Sequence, residues 1–127
     1  MATILVVDDR ASNRSLIATL MGYEGHRVIE AVDGAEGLGL AQAERPDLVI
    51  TDILMPKVDG YDFVRQMRLD PTISNTPVIF CSAHYLGDDS EALAEGCGAF
   101  AVLQKPCEPE EIVRTVREAL RVIPASS

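Results

Sequence analysis

The chain has 127 residues, 47% hydrophobic and 24% charged, which suits one compact domain with an ordinary core and leaves little room for a second. Its net charge of −9 argues against nucleic acid as a direct partner, because a phosphate backbone requires a basic face. No apolar stretch approaches the roughly 20 residues that span a bilayer, and Met1-Ala2-Thr3 leads into an apolar run without a basic leader. The expectation is a cytoplasmic protein with no membrane insertion. Cys81, Cys97 and Cys107 form an odd set without metal-ligand spacing, as expected for reduced thiols, with Cys81 packing as a small hydrophobe.

In chain order, Thr3-Ile4-Leu5-Val6-Val7 predicts a strand buried on both faces and stopping at Asp8-Asp9. Ser12 or Asn13 is placed to cap a helix whose stripe is Leu16, Ile17, Leu20 and Met21, with Gly22 and Gly25 at its end. His26 to Val32 reads as a second strand, and Asp33-Gly34 opens a helix through Leu38, Leu40 and Ala41 that ends before Pro46. Leu48-Val49-Ile50-Thr51 is a third buried strand, closing on Asp52. A loop with Met55-Pro56 and Asp59-Gly60 precedes a helix carrying Phe63, Val64, Met67 and Leu69. Pro77 to Cys81 predicts a fourth strand ending at Ser82, followed by a weaker helix from Leu86 to Glu95. Phe100 to Gln104 is a fifth strand that delivers Lys105-Pro106. The last helix opens at Pro109-Glu110-Glu111, with acid at the positive end of its dipole, and buries Ile112, Val113, Val116, Ala119 and Leu120. Residues 1–123 are read as one domain, and Pro124 to Ser127 as a tail or the start of a linker.

Five βα units in series imply a parallel sheet wrapped by helices on both faces, with the ligand site beyond the carboxyl ends of the strands. Those ends carry Asp8, Asp9, Asp52, Ser82 and Lys105. Three carboxylates in one crevice repel unless a cation sits among them, and Mg²⁺ (or Mn²⁺) with oxygen ligands resolves the conflict. Lys105, one of only two lysines, supplies a mobile positive charge for phosphate oxygens, and Ser82 a hydroxyl donor. Each residue alone reads as an ordinary turn, cap or surface group. Their joint placement describes a site for a transferring phosphoryl group, with a carboxylate as nucleophile.

The runs Ile4-Leu5-Val6-Val7-Asp8-Asp9, Asp47 to Pro56 with Asp59-Gly60, Pro77-Val78-Ile79 leading to Ser82-Ala83, and Lys105-Pro106 together resemble the receiver domain of bacterial two-component response regulators. The resemblance runs from Ile4 to about Val122 and implies a flavodoxin- or CheY-like (βα)5 fold, a doubly wound five-stranded parallel sheet of order 2-1-3-4-5 with five helices. It implies Asp52 as phosphoacceptor from a phosphohistidine, Asp9 as direct metal ligand, Asp8 orienting a metal-bound water, and the Leu54 carbonyl completing the coordination. Lys105 and Ser82 would each hold a phosphoryl oxygen, and the Lys105-Pro106 bond is often cis in this family. Such a domain is a signalling switch rather than an enzyme.

The implied partners are a histidine kinase or histidine phosphotransfer protein and a downstream protein or output domain, with dimerisation through the face of the fourth helix, fifth strand and fifth helix. Both a free-standing regulator and a domain of a larger regulator or hybrid kinase fit this pattern. Arg14, Leu16 and Ile17 are candidates for kinase docking. The sequence departs from the family at Val102, where many receivers carry an aromatic switch residue; Phe100 is the nearest aromatic, and simple packing of both is the competing reading. Across this family the positions of Leu54 and His84 modulate phosphoryl lifetime, so the resemblance implies that His84 influences dephosphorylation, with a solvated loop histidine as the competing reading.

A haloacid-dehalogenase-like phosphatase would need an acid at the position of Leu54, and a nucleotide-binding P-loop would need glycines where Asp8-Asp9-Arg10 stands. Flavin binding is disfavoured because the acidic pair would face the cofactor's phosphate. A receiver-shaped interaction module that works without phosphorylation is the stronger rival, against which the intact set of Asp8, Asp9, Asp52, Ser82 and Lys105 weighs.

Overall fold

The short apolar runs are joined by connections too long for hairpins and pair in parallel; the three inner strands are buried almost throughout and the two edge strands only in part. In the computed structural model, which describes residues 2–53, 55, 58–82 and 96–121, β1 is Thr3–Val7, β2 Arg27–Ala31, β3 Leu48–Thr51, β4 Val78–Ser82 and β5 Ala101–Gln104. They form one parallel sheet of order β2-β1-β3-β4-β5. The described helices are α1 (Ala11–Tyr23), α2 (Gly34–Glu44), α3 (Gly60–Leu69) and, at the carboxyl end, α4 (Pro109–Arg121). The helix expected over 86–95 lies outside the described residues, so four helices are described where five were expected.

Alternation along each strand divides the core into two layers. Leu5, Val7, Val49, Val78 and Phe80 face α2 and α3, where Ala41, Phe63, Val64 and Met67 close the packing. Ile4, Val6, Leu48, Ile50, Ile79, Cys81 and Leu103 face α1 and α4 and meet Ile17, Met21, Ile112, Val116 and Ala119. Burying one such side chain contributes roughly 1.5–3 kcal/mol. The ion pairs on the outer faces, Arg27 with Glu44 and Arg65 with Asp62, involve half-exposed groups and contribute roughly 0–1 kcal/mol each. The helices are therefore held by their apolar stripes.

The stripes are narrower than the sequence implied. Leu16 is 54% exposed and Leu69 83% exposed, because Ile17 and Met21 on α1, and Phe63, Val64 and Met67 on α3, already fill the inward positions. Ser12 and Asn13 do not cap α1; Arg10 holds the N-cap position without a side-chain cap, and both residues lie in the first turn. The backbone N–H of Arg10 donates instead to Asp8 Oδ1 at 2.9 Å. Gly25, at φ +84°, supplies the left-handed turn after α1 that side chains disfavour. Asp33 and Asp59 cap α2 and α3 by accepting from the N–H groups of Glu36 and Asp62 at 2.8 and 2.9 Å.

One guanidinium closes the amino-terminal edge of the sheet beside β4 and β5. Arg68 donates to the carbonyl oxygens of Ser74 and Thr76, before β4, at 3.1 and 2.6 Å. It also donates to those of Cys97 and Gly98, before β5, at 2.9 and 3.2 Å. Removing it orphans several half-buried acceptors together. Arg68→Ala is expected to lower unfolding stability by roughly 2 to 4 kcal/mol, read as a lower urea midpoint at unchanged slope.

Candidate functional site

The carboxyl ends of the strands bring the predicted residues to one edge. The ladder continues one residue past the strands: the Asp8 N–H donates to the Ala31 carbonyl at 3.1 Å, and that of Asp52 to the Val7 carbonyl at 2.9 Å. Asp8 and Asp52 are thereby fixed through their own backbones. The Lys105 N–H donates to the Ser82 carbonyl at 2.6 Å, which ties the end of β5 to the end of β4. Ser82 is fully buried opposite Gln104. The Lys105–Pro106 bond is cis, as the resemblance implied.

Asp52 rests directly on the start of α3. The Gly60 N–H donates to the Ile53 carbonyl at 2.7 Å, and a Cβ on Gly60 would fall onto the Asp52 carbonyl oxygen and against Ile53 Cα. The Asp59-Gly60 pair is thus more than a turn. Its aspartate caps α3, and its glycine admits the backbone that carries Asp52.

Carboxylate oxygens of Asp8, Asp9 and Asp52 lie within 4.8 Å of one another, with Asp8 and Asp52 buried and Asp9 exposed. Lys105 Nζ donates to Asp8 Oδ2 at 2.7 Å and stands 3.7 Å from Asp52 Oδ2. The Ile53 N–H donates to Asp52 Oδ1 at 2.7 Å. Around Asp8, Arg14 Nη1 donates to the backbone carbonyl at 2.8 Å while its Nε pairs with Glu30 at 3.2 Å. Burial pushes the Asp52 carboxyl above its ordinary value, outweighing Lys105 and the Ile53 N–H, which pull it down, with Asp8 and Asp9 adding to the rise. Burial alone would lower Lys105, but its hydrogen bond to Asp8 and the charges of Asp52 and Asp8 hold the ammonium above its usual value.

Three carboxylates facing one ammonium leave two negative charges unmatched, the charge of a divalent cation. Two oxygens bound to one Mg²⁺ at about 2.1 Å stand at most about 4.2 Å apart, so small side-chain rotations bring the trio to ligand spacing. Both oxygens of Asp8 already accept hydrogen bonds, from Arg10 and Lys105, which suits contact through water better than direct ligation. The donor set fits a hard cation. Leu54 and His84 lie outside the described residues. Val102 is partly buried against the α2–α3 core layer and Phe100 is 37% exposed beside it.

A sheet of this order, with buried acid at its carboxyl edge and a lysine reaching across from the last strand, is the architecture of a CheY-like receiver. Residues 4–117 match the family model of the response regulator receiver domain. The chain belongs to that family. It is 40% identical over 119 residues to the probable transcriptional regulator ycf27 of Guillardia theta, covering 93% of this chain and 45% of that protein. It thus spans about half the length of that relative. Protein PilH of Pseudomonas aeruginosa is 33% identical over 120 residues, covering 94% of this chain and 98% of PilH. Among solved structures, the chemotaxis protein CheY4 of Vibrio cholerae superposes with a TM-score of 0.88 at 31% identity, covering 94% of this chain and 98% of that one. The receiver domain of a signal transduction histidine kinase from Syntrophus aciditrophicus gives 0.90 at 25% identity, covering 100% and 96%. No described helix is long and apolar enough to cross a membrane.

An acid raised above its ordinary value binds its proton more tightly in the folded than in the unfolded chain. Its stabilising effect is complete below the unfolded value of about 3.8 and is lost as pH rises through the folded value. At neutral pH, Asp52 therefore costs the metal-free domain stability. In chelator-treated protein, Asp52→Asn is expected to raise the Tm near pH 7, and the gain should vanish below about pH 3.8.

Proposed function

We propose that this receiver is a phosphorylation-dependent signalling switch with Asp52 as its acceptor. The observation that carries the reading is a buried carboxylate 3.7 Å from Lys105 and within 4.8 Å of oxygens of Asp8 and Asp9. Asp52 attacks the phosphorus of a phosphohistidine on a histidine kinase or histidine phosphotransfer protein. Lys105 leaves Asp8 to hold one phosphoryl oxygen, and Ser82 holds another. Asp9 and the Leu54 carbonyl would bind Mg²⁺ (or Mn²⁺) directly, with Asp52 as a further ligand and Asp8 acting through water. When bound, the ion neutralises the carboxylates and the charge that develops on the phosphoryl oxygens.

The proposed product is an aspartyl phosphate, lost to water with help from the same groups, so the domain acts as a switch rather than an enzyme on a separate substrate. Phosphorylation shifts the balance between two conformations and so regulates a downstream protein or an attached output domain. Output and self-association would use the face that includes β5 and α4. The switching unit is taken to run over residues 1–123, with 124–127 as tail or linker, in a cytoplasmic setting.

Incubation with Mg²⁺ and acetyl phosphate tests this reading by intact mass. The parent is expected to gain one phosphoryl group, with no gain without Mg²⁺ and none in Asp52→Asn. A folded parent that gains nothing, from acetyl phosphate or from a phosphorylated histidine donor, would point to an interaction module that works without phosphorylation.

A further inference from the structure

Two thiols meet beside Lys105. Cys81 Sγ, on β4, lies 3.7 Å from Cys107 Sγ, two residues beyond Lys105. Cys81 is buried and Cys107 partly exposed, and both line a cavity of about 370 Å³ with Arg10, Leu16, Lys105 and Ile112. The cavity gives a small oxidant access to the pair. The third cysteine stands apart. Cys97 belongs to the α2–α3 core layer, whereas Cys81 belongs to the α1–α4 layer with Cys107 packed against it, so the sheet separates them. Cys97 Sγ donates instead to the Tyr61 carbonyl at 3.9 Å.

We propose that Cys81 and Cys107 form an oxidant-driven disulfide that fastens the Lys105 segment to β4. The sulfur atoms must close from 3.7 Å to about 2.05 Å. Cys107 sits in the irregular stretch between β5 and α4 and holds its place by donating from Sγ to the Gln104 carbonyl at 3.1 Å, a contact that rotation of its side chain releases. With hydrogen peroxide as oxidant, the more exposed Cys107 thiolate attacks one peroxide oxygen. The O–O bond breaks, and the departing hydroxide takes up a proton to become water, leaving a sulfenic acid. Cys81 Sγ then attacks that sulfur and displaces hydroxide, which accepts the Cys81 proton as a second water. Two thiols and one peroxide give one disulfide and two waters.

Burial, with Cys107 alongside, pushes the Cys81 thiol up to about 12, and burial raises Cys107 too. Both stay protonated and inert at neutral pH until an oxidant captures the small thiolate fraction of Cys107. The bond would also hinder the movement of Lys105 away from Asp8. That effect rests on the proposed phosphorylation, whereas formation of the disulfide does not.

The reduced, folded 127-residue chain is treated with hydrogen peroxide, then alkylated under denaturing conditions and analysed by intact mass and peptide mapping. The expected product is monomeric, has lost two of its three alkylatable thiols, and links the Cys81 and Cys107 peptides. Cys107→Ser and Cys81→Ala should each abolish the link, Cys97→Ser should retain it, and a dithiol reductant should reverse it. No link in protein shown to be folded, a link between chains, or one through Cys97 would overturn the assignment. Phosphoryl uptake from acetyl phosphate is expected to fall about tenfold in the oxidised protein and recover on reduction; an unchanged rate would overturn the control of Lys105. If neither form takes up a phosphoryl group from acetyl phosphate or from a phosphorylated histidine donor, the phosphorylation reading fails, while the peptide map still decides whether the disulfide exists.

Discussion

The ammonium of Lys105, shared between Asp8 and Asp52, joins the ends of the first, third and fifth strands across the sheet. Without it, two buried carboxylates would face each other and exposed Asp9 with no described cation paired to them. Depriving a buried ion pair of one partner costs roughly 3–5 kcal/mol, a large share of the 5–15 kcal/mol that holds a typical domain together. The lysine therefore lets the acidic edge exist before any metal arrives. In the proposed phosphorylation, a bound divalent ion would relieve the same oxygens, and the freed ammonium would then have a new anion within reach on Asp52.

The fold was largely legible because short apolar runs alternate with segments of helical period, which implies parallel pairing; burial on both faces holds for β1, β3 and β4 but only in part for the edge strands β2 and β5. Asp8, Asp9 and Asp52 could be placed because a carboxylate immediately after a buried strand has nowhere to go but the carboxyl edge. The same logic located Lys105 and Ser82. Roles were less legible than positions. That both oxygens of Asp8 are occupied, by the Arg10 N–H and the Lys105 ammonium, is a matter of side-chain rotation that no spacing encodes.

What the sequence concealed depends on contacts between distant segments. Leu16 and Leu69 satisfy helical spacing yet stand in solvent, because the width of a buried stripe is set by the neighbouring layer. Arg68 carries no motif; its four acceptors lie on two connections up to 30 residues away. Cys81 and Cys107 meet because β4 and β5 are adjacent and the chain turns sharply after Lys105, facts of tertiary structure. Gly60 gave a partial signal: the turn was evident, but the pressure of the Asp52 backbone against it was not.

The grip of Arg68 has a mechanical meaning. Its contacts fall at the entrances of β4 and β5, while Ser82 and Lys105 stand at their exits. A four-residue strand such as β5 is roughly 13 Å long. Fixing both entrances through one side chain sets the two strands at a common level, and the Lys105 N–H to Ser82 carbonyl bond closes the same pair at the exits. The heights at which Ser82 and Lys105 stand are thus set from the opposite edge of the sheet.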